Sequence, residues 1–342
     1  MVQENPLPLE KEDLSYAPKL LEASENGMIK VRLEEDVVVQ RISHDLYSNP
    51  NSGFREFYAN ELRACRLAAK RFGARPRIVI TLSPSDRILS IQGIDSLGIS
   101  QERFLQVYSV LGRSDNFDPH EVGQWGFGRG AYTTLSDTMV LETWSREDGT
   151  KYAVLGKSGV GYNILPEPRM ESYGTKVTFI LRGDIDIHDL VHYIEKCAVL
   201  GGVETRLVLT DDLPHHWRYR DKQKGEYILN KTVQQLVEEA RIGNGQPVLR
   251  IDIEDEDLSL LGFFTIDISH RSVWDAMRPD VFLVGMPIQS DIKLPLTYFV
   301  LNIKDERKYP PTADRERLTE RAEALVEEKI IPLLRRELSS RL

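Results

Sequence analysis

Apolar positions recur with a helical period across residues 53–72. Phe54, Phe57, Tyr58, Leu62, Cys65, Ala69 and Phe72 fall on one stripe, the pattern of a helix laid against a sheet. Gly73 and Pro76 follow, which is helix-stop chemistry. Strands are expected at 77–82 and 87–92, joined through Ser83-Pro84-Ser85. Ile78-Val79-Ile80-Thr81-Leu82 alternates poorly, which predicts a strand covered on both faces. A helix at 102–110 comes next, then strands at 138–146 and 151–157 around the hairpin signal Asp148-Gly149, and a strand at 175–182. Helices on one face of such a mixed sheet make a two-layer α/β (α+β) sandwich.

Beyond Gly183-Asp184 the pattern changes. It reads as helix 187–199, strand 205–209, helix 231–240, strands near 247–253, 260–268 and 295–303, then a long charged helix from about 314. The expected organisation is an acidic, Pro-punctuated arm over 1–35, a first domain over 36–185 and a smaller α/β domain over 186–342.

Composition narrows the class without naming it. A chain of 342 residues has room for two domains, each with its own core. The net charge of −9 argues against a surface given over wholly to nucleic acid. Cys65 and Cys197 are too few for a disulfide framework or a zinc site. No apolar run reaches the roughly 20 residues of a spanning helix, and the first residues lack a signal-peptide pattern. The expectation is a cytoplasmic protein with no membrane association. The acidic run Asp252-Ile253-Glu254-Asp255-Glu256-Asp257 reads as a solvated loop or strand end rather than a metal site.

Two local patterns carry chemistry. Gly123-Gln124-Trp125-Gly126-Phe127-Gly128-Arg129-Gly130 puts alternate glycines ahead of a helical stretch, where bare backbone N–H groups can close round phosphate oxygens. Taken alone it fits a structural turn equally well. Its spacing excludes the P-loop, which ends in Gly-Lys-Ser/Thr. Upstream, Glu56 and Asn60 are four apart and share one face of the helix. A carboxylate and a carboxamide there suit a water-activating base and a magnesium ligand, or simply an exposed polar face.

Taken in order, these residues resemble the GHKL (Bergerat-fold) ATPases, such as gyrase B, the ninety-kilodalton heat-shock chaperones, MutL and histidine kinases. The family's Glu-x-x-x-Asn falls on Glu56 and Asn60, its Gly-rich lid motif on 123–130, and its late Gly-Thr on Gly174-Thr175. Its adenine motif, Asp-x-Gly-x-Gly, is met imperfectly by Ile94-Asp95-Ser96-Leu97-Gly98. Counting back from Gly98 puts Ile94 at the acidic position, so the acid is placed at Asp95 by a one-residue change in the turn. The family's Asp-Ala after the Asn is here Arg63-Ala64. Shorter stretches are similar to phage rapid-lysis-inhibition A proteins and to the topoisomerase VI B subunit.

The resemblance implies ATP and Mg²⁺ as ligands. Glu56 is then the catalytic base and Asn60 the magnesium ligand. Asp95, Gly98 and Thr175 hold the base, while Arg113, Ser114, Gly123, Gln124, Gly126, Phe127, Gly128 and Gly130 surround the phosphates under a lid at 111–122. The second domain resembles the transducer domain of gyrase B and MutL. Its loop Thr312-Ala313-Asp314 lacks the switch lysine, leaving Arg315 or Arg317 to serve, or else an ordinary helix start capped by Asp314. The function implied is an ATPase whose closure drives a homodimer and acts on a protein client or a separate DNA-cleaving subunit. Two rivals stand beside it: a nucleotide-binding regulator with little turnover, and a kinase sharing the nucleotide fold.

Overall fold

The computed structural model describes residues 49, 51–108, 132–157, 161–165, 168–215, 222–242, 249–264, 280–312 and 315–341. The expected arm at 1–35, the lid at 111–122 with Arg113 and Ser114, and the glycine run 123–130 lie outside the described residues.

Helix α1 (Ser52–Phe72) opens the described chain. Strands β1 (Arg77–Ser83) and β2 (Ile88–Ile94) follow as an antiparallel hairpin. A short helix α2 (Gln101–Arg103), capped by Ser100, runs into a π-turn over Phe104–Tyr108. Next come α3 (Tyr132–Leu135), β3 (Thr138–Trp144), β4 (Lys151–Lys157), β5 (Gly161–Leu165), β6 (Gly174–Ile180), α4 (Ile187–Ala198), β7 (Glu204–Leu209) and β8 (Gly225–Ile228). These strands form one mixed sheet in the order β5-β4-β3-β6-β2-β1-β7-β8, with β1 and β7 parallel. Helix α5 (Val233–Ile242) leads to the second sheet, built from β9 (Leu249–Glu254), β10 (Leu258–Phe264), β11 (Asp280–Leu283), β12 (Met286–Pro287) and β13 (Tyr298–Ile303). Its order is β12-β11-β13-β10-β9, and helix α6 (Glu320–Arg341) packs against β9. The molecule is of the α/β class, with two mixed sheets.

Several expectations need correction. Strand β1 alternates buried and half-buried positions, so its second face is only partly covered. Ala69 and Phe72 are exposed at the end of α1, where the buried stripe closes on Ala68. The final helix begins at Glu320, six positions later than expected. Thr319 caps it, its hydroxyl accepting from the Ala322 N–H at 3.2 Å. Strands β7 and β8 extend the first sheet past residue 185, so the boundary between the sheets falls between Ile228 and Leu249.

Sequence explains the helix layer. Leu89 and Ile91 on β2, Val177 and Phe179 on β6, and Met139 and Leu141 on β3 alternate inward and meet Phe54, Phe57, Tyr58 and Leu62 of α1. Burying side chains of this size stabilises by roughly 1.5–3 kcal/mol each. One apolar cluster continues from α1 through α4 into the second sheet and the Ala322, Val326, Ile330 and Leu334 face of α6. The acidic run is absorbed structurally. Asp257 accepts from Lys308 and Lys329 at the β9–β10 turn, and those lysines hold its carboxyl down at about 2.

Candidate active site

The first two turns of α1 are enclosed on every side, and there the charged residues Arg55 and Glu56 are buried. Asn60, one turn on, is half-buried. The enclosure comes from the loop between β13 and α6. This loop is pinned as a narrow turn: the Thr312 N–H donates to the Arg317 carbonyl at 2.8 Å and the Arg315 N–H to the Thr312 carbonyl at 2.9 Å. Bridges Pro311–Leu318 and Gln289–Arg317 fix its flanks. The turn leaves Arg315 at φ +59°, a left-handed conformation uncommon for a non-glycine residue.

That geometry aims the Arg315 guanidinium inward. One nitrogen lies 3.6 Å from the Glu56 carboxylate, another 3.1 Å from Glu306, and all three side chains are at least nine-tenths buried. The Arg315–Glu306 approach is not aligned as a hydrogen bond. Burial pushes the Glu306 carboxyl up from its usual range, Arg315 pulling the other way. Alongside, Glu316 accepts from the hydroxyls of Ser52 at 2.9 Å and Tyr193 at 3.1 Å. Burial works against the charge of Arg55, and neighbouring Tyr193 and Glu316 more than offset it. A small cleft lined by Arg55, Glu56, Glu306, Pro311 and Arg315 opens here, with about 10 Å³ at its centre. That is the lower limit for one water.

Arg317 goes elsewhere. It pairs with Asp291 at 2.7 Å on the surface. Of the two arginines considered for the loop, only Arg315 is brought to Glu56.

On the first sheet, Thr175 is buried, 3.3 Å from the Thr143 hydroxyl. The Thr143 hydroxyl donates to the Gly174 carbonyl at 3.1 Å and accepts from the Ile99 N–H at 2.9 Å. Gly98, at φ +71°, presses on β3, where a Cβ would meet the Trp144 carbonyl at 2.2 Å. The turn therefore needs glycine for close backbone approach.

Asp95 is not part of this network. It sits at φ +61° with its side chain turned outward, ion-paired with Arg146 and accepting from the Arg75 N–H at 3.3 Å. Its side chain is 43% exposed. Ile94 is half-buried and apolar. Sequence reasoning overlooked Glu61, the residue after Asn60, which is buried beneath the same strand end. It accepts from Ser96, and burial pushes its carboxyl up to about 7. The signal was present, because an acid next to Cys65 and Leu62 on the apolar stripe is out of pattern.

Among the described residues, no group of three His, Cys, Asp or Glu side chains gathers as a metal cage, and no helix is long and apolar enough to cross a membrane. Compared with protein-family models the chain matches none, and comparison with curated proteins gives no significant match.

Proposed function

We propose that the chain is a Mg²⁺-dependent ATPase in which ATP binding couples the two sheets, with ATP-gated pairing of two copies. The observation that carries this reading is the approach of Arg315, from the second sheet's loop, to the buried Glu56 on α1, one turn ahead of Asn60. The order of motifs, which resembles the GHKL ATPases, supports it.

In this reading Glu56 accepts the proton of the attacking water, and its burial keeps that proton transfer away from bulk solvent. Asn60 offers a single neutral oxygen, which fits Mg²⁺, an ion that commonly takes one or two protein ligands and fills its shell with phosphate and water. Magnesium, when bound, supplies charge neutralisation across the phosphates. Arg315 is paired with Glu56 in the structure described. A triphosphate offers that guanidinium a competing anion, giving the differential affinity a conformational switch needs. The protein client or DNA-cleaving subunit belongs to the same proposal and has no residue of its own in this site.

One observation favours a second reading, a regulator with little turnover. Glu56 is held by Arg315, and a base engaged in an ion pair is a poor proton acceptor. Single-turnover hydrolysis of Mg·ATP separates the two, and sedimentation with ADP or a non-hydrolysable analogue tests the pairing. Analogue-dependent dimers and hydrolysis that vanishes in Glu56→Ala support the ATPase. Binding without hydrolysis supports the regulator.

A further inference from the structure

Strand β2 delivers its side chains alternately to the two faces of the first sheet. Leu89 and Ile91 enter the core under α1, so the next residue on that face is Gly93, which has no side chain to offer. Glu61 of α1 fills the vacancy. A Cβ placed on Gly93 would lie 1.7 Å from its Oε1, so the helix carboxylate stands where a strand side chain would otherwise be.

The surroundings are polar and buried together. Ser96, fully buried, donates to Oε1, and the Cys65 sulfur lies 4.0 Å from the same oxygen. Glu61 is only 7% exposed, and both contacts fall on Oε1, leaving Oε2 on the side away from Ser96 and Cys65. A Cβ on Gly174 would lie 2.9 Å from the Ser96 hydroxyl, which sets Ser96 beside the Gly174, Thr143 and Thr175 network. A carboxyl this buried is costly to ionise unless something donates to it. The outward-turned Asp95 is committed to Arg146 and Arg75.

We infer that Glu61, reaching from the helix into the gap left by Gly93, is the acceptor that reads the exocyclic amine of a 6-aminopurine. This rests on the nucleotide-binding reading above. With Oε1 engaged by Ser96, one oxygen faces the ligand, which suits a single N–H donor. A 6-oxopurine puts an acceptor at that point and meets the carboxylate as a repulsive partner. The acid that selects the base has moved from strand to helix.

The test measures equilibrium binding of ATP and ITP to the full chain, alongside thermal unfolding of every variant. Wild type binds ATP at least tenfold more tightly than ITP. In Glu61→Gln, Ser96 keeps its acceptor while the amide NH₂ replaces Oε2 as a donor, so the preference inverts towards ITP. Glu61→Ala loses tenfold or more for ATP, and the double variant Glu61→Ala/Gly93→Asp, which returns an acid to the strand, regains most of it. Asp95→Asn stays within twofold of wild type. An unchanged ATP:ITP ratio in Glu61→Gln, or loss of ATP binding in Asp95→Asn alone, overturns the inference. If wild type binds neither nucleotide, the nucleotide-binding reading itself fails. A merely structural role for Glu61 would lower the unfolding temperature without inverting base preference, and that result also rejects the inference.

Discussion

The guanidinium of Arg315 lies 3.6 Å from the carboxylate of Glu56, joining the second sheet's loop to the first helix through two buried side chains. Removing one partner of a buried pair strands the other charge, at a cost on the order of 3 kcal/mol. Arg315→Ala leaves both Glu56 and Glu306 uncompensated and should lower stability by about that amount in urea unfolding. Arg317→Ala, which breaks only an exposed pair with Asp291, should cost about 0–1 kcal/mol. Arg315→Gly should be less harmful than Arg315→Ala by roughly 1 kcal/mol, because glycine accepts φ +59° without strain. Equal losses for Arg315→Ala and Arg317→Ala would contradict the ion-pair geometry.

Glu56→Ala should retain ATP affinity within a few-fold and lose turnover by about 10²–10⁴-fold, the usual contribution of a general base. Asn60→Ala should instead weaken the Mg²⁺-dependent part of nucleotide binding. Binding and single-turnover rates measured on the same preparations separate the two roles. Wild-type turnover in Glu56→Ala would remove it as the base.

Glu61 makes stability depend on pH. Its carboxyl is raised from the ordinary 4.5 to about 7, with burial as the cause and the Ser96 hydrogen bond opposing it. Between those values the folded chain holds a proton that the unfolded chain has lost. Stability from this group therefore falls as pH rises through that window, by on the order of 3 kcal/mol. Glu61→Gln never ionises, so its stability relative to wild type should climb from pH 4 to pH 8. A constant difference across that range would show that burial leaves the carboxyl unperturbed.

Gly73 and Gly174 both have positive φ but differ in surroundings. At Gly73, which caps α1, a Cβ meets nothing, so Gly73→Ala should cost about 1 kcal/mol from backbone strain alone. At Gly174 a Cβ would lie 1.9 Å from the Gly93 carbonyl, and Gly174→Ala should force β2 and β6 apart. Thermal unfolding should show a several-fold larger loss at Gly174. Comparable losses would mean that the strand ends yield more readily than their spacing indicates.

Much of the fold could be read because periodicity reports burial directly. The apolar stripe from Phe54 to Cys65 placed α1 to within a residue, and the expected 151–157 strand has the bounds found for β4. Strands β8, β11 and β12 escaped because two to four residues are too short to show a period. The outward turn of Asp95 was missed for a different reason. Motif spacing counts residues, whereas the backbone decides facing: the pleat gives the inward position to Gly93, and the left-handed φ of +61° just past the end of β2 turns Asp95 outward. Arg315 could not be told from Arg317 by sequence, since the turn that points one inward and the other outward depends on the long-range pairing of Gln289 with Arg317 and Leu318.

The join between helix and loop is also keyed. Arg55-Glu56 on α1 faces Arg315-Glu316, and the contacts cross, with Glu56 against Arg315 and Arg55 within electrostatic reach of Glu316. Each side presents a cation followed by an anion, so sliding either segment by one residue would bring like charges together. The charges thus fix one register between helix and loop and penalise its neighbours. The expected consequence is that displacement of the second sheet's loop reaches the base of the helix as a step, with Glu56 unchanged until the whole contact lets go.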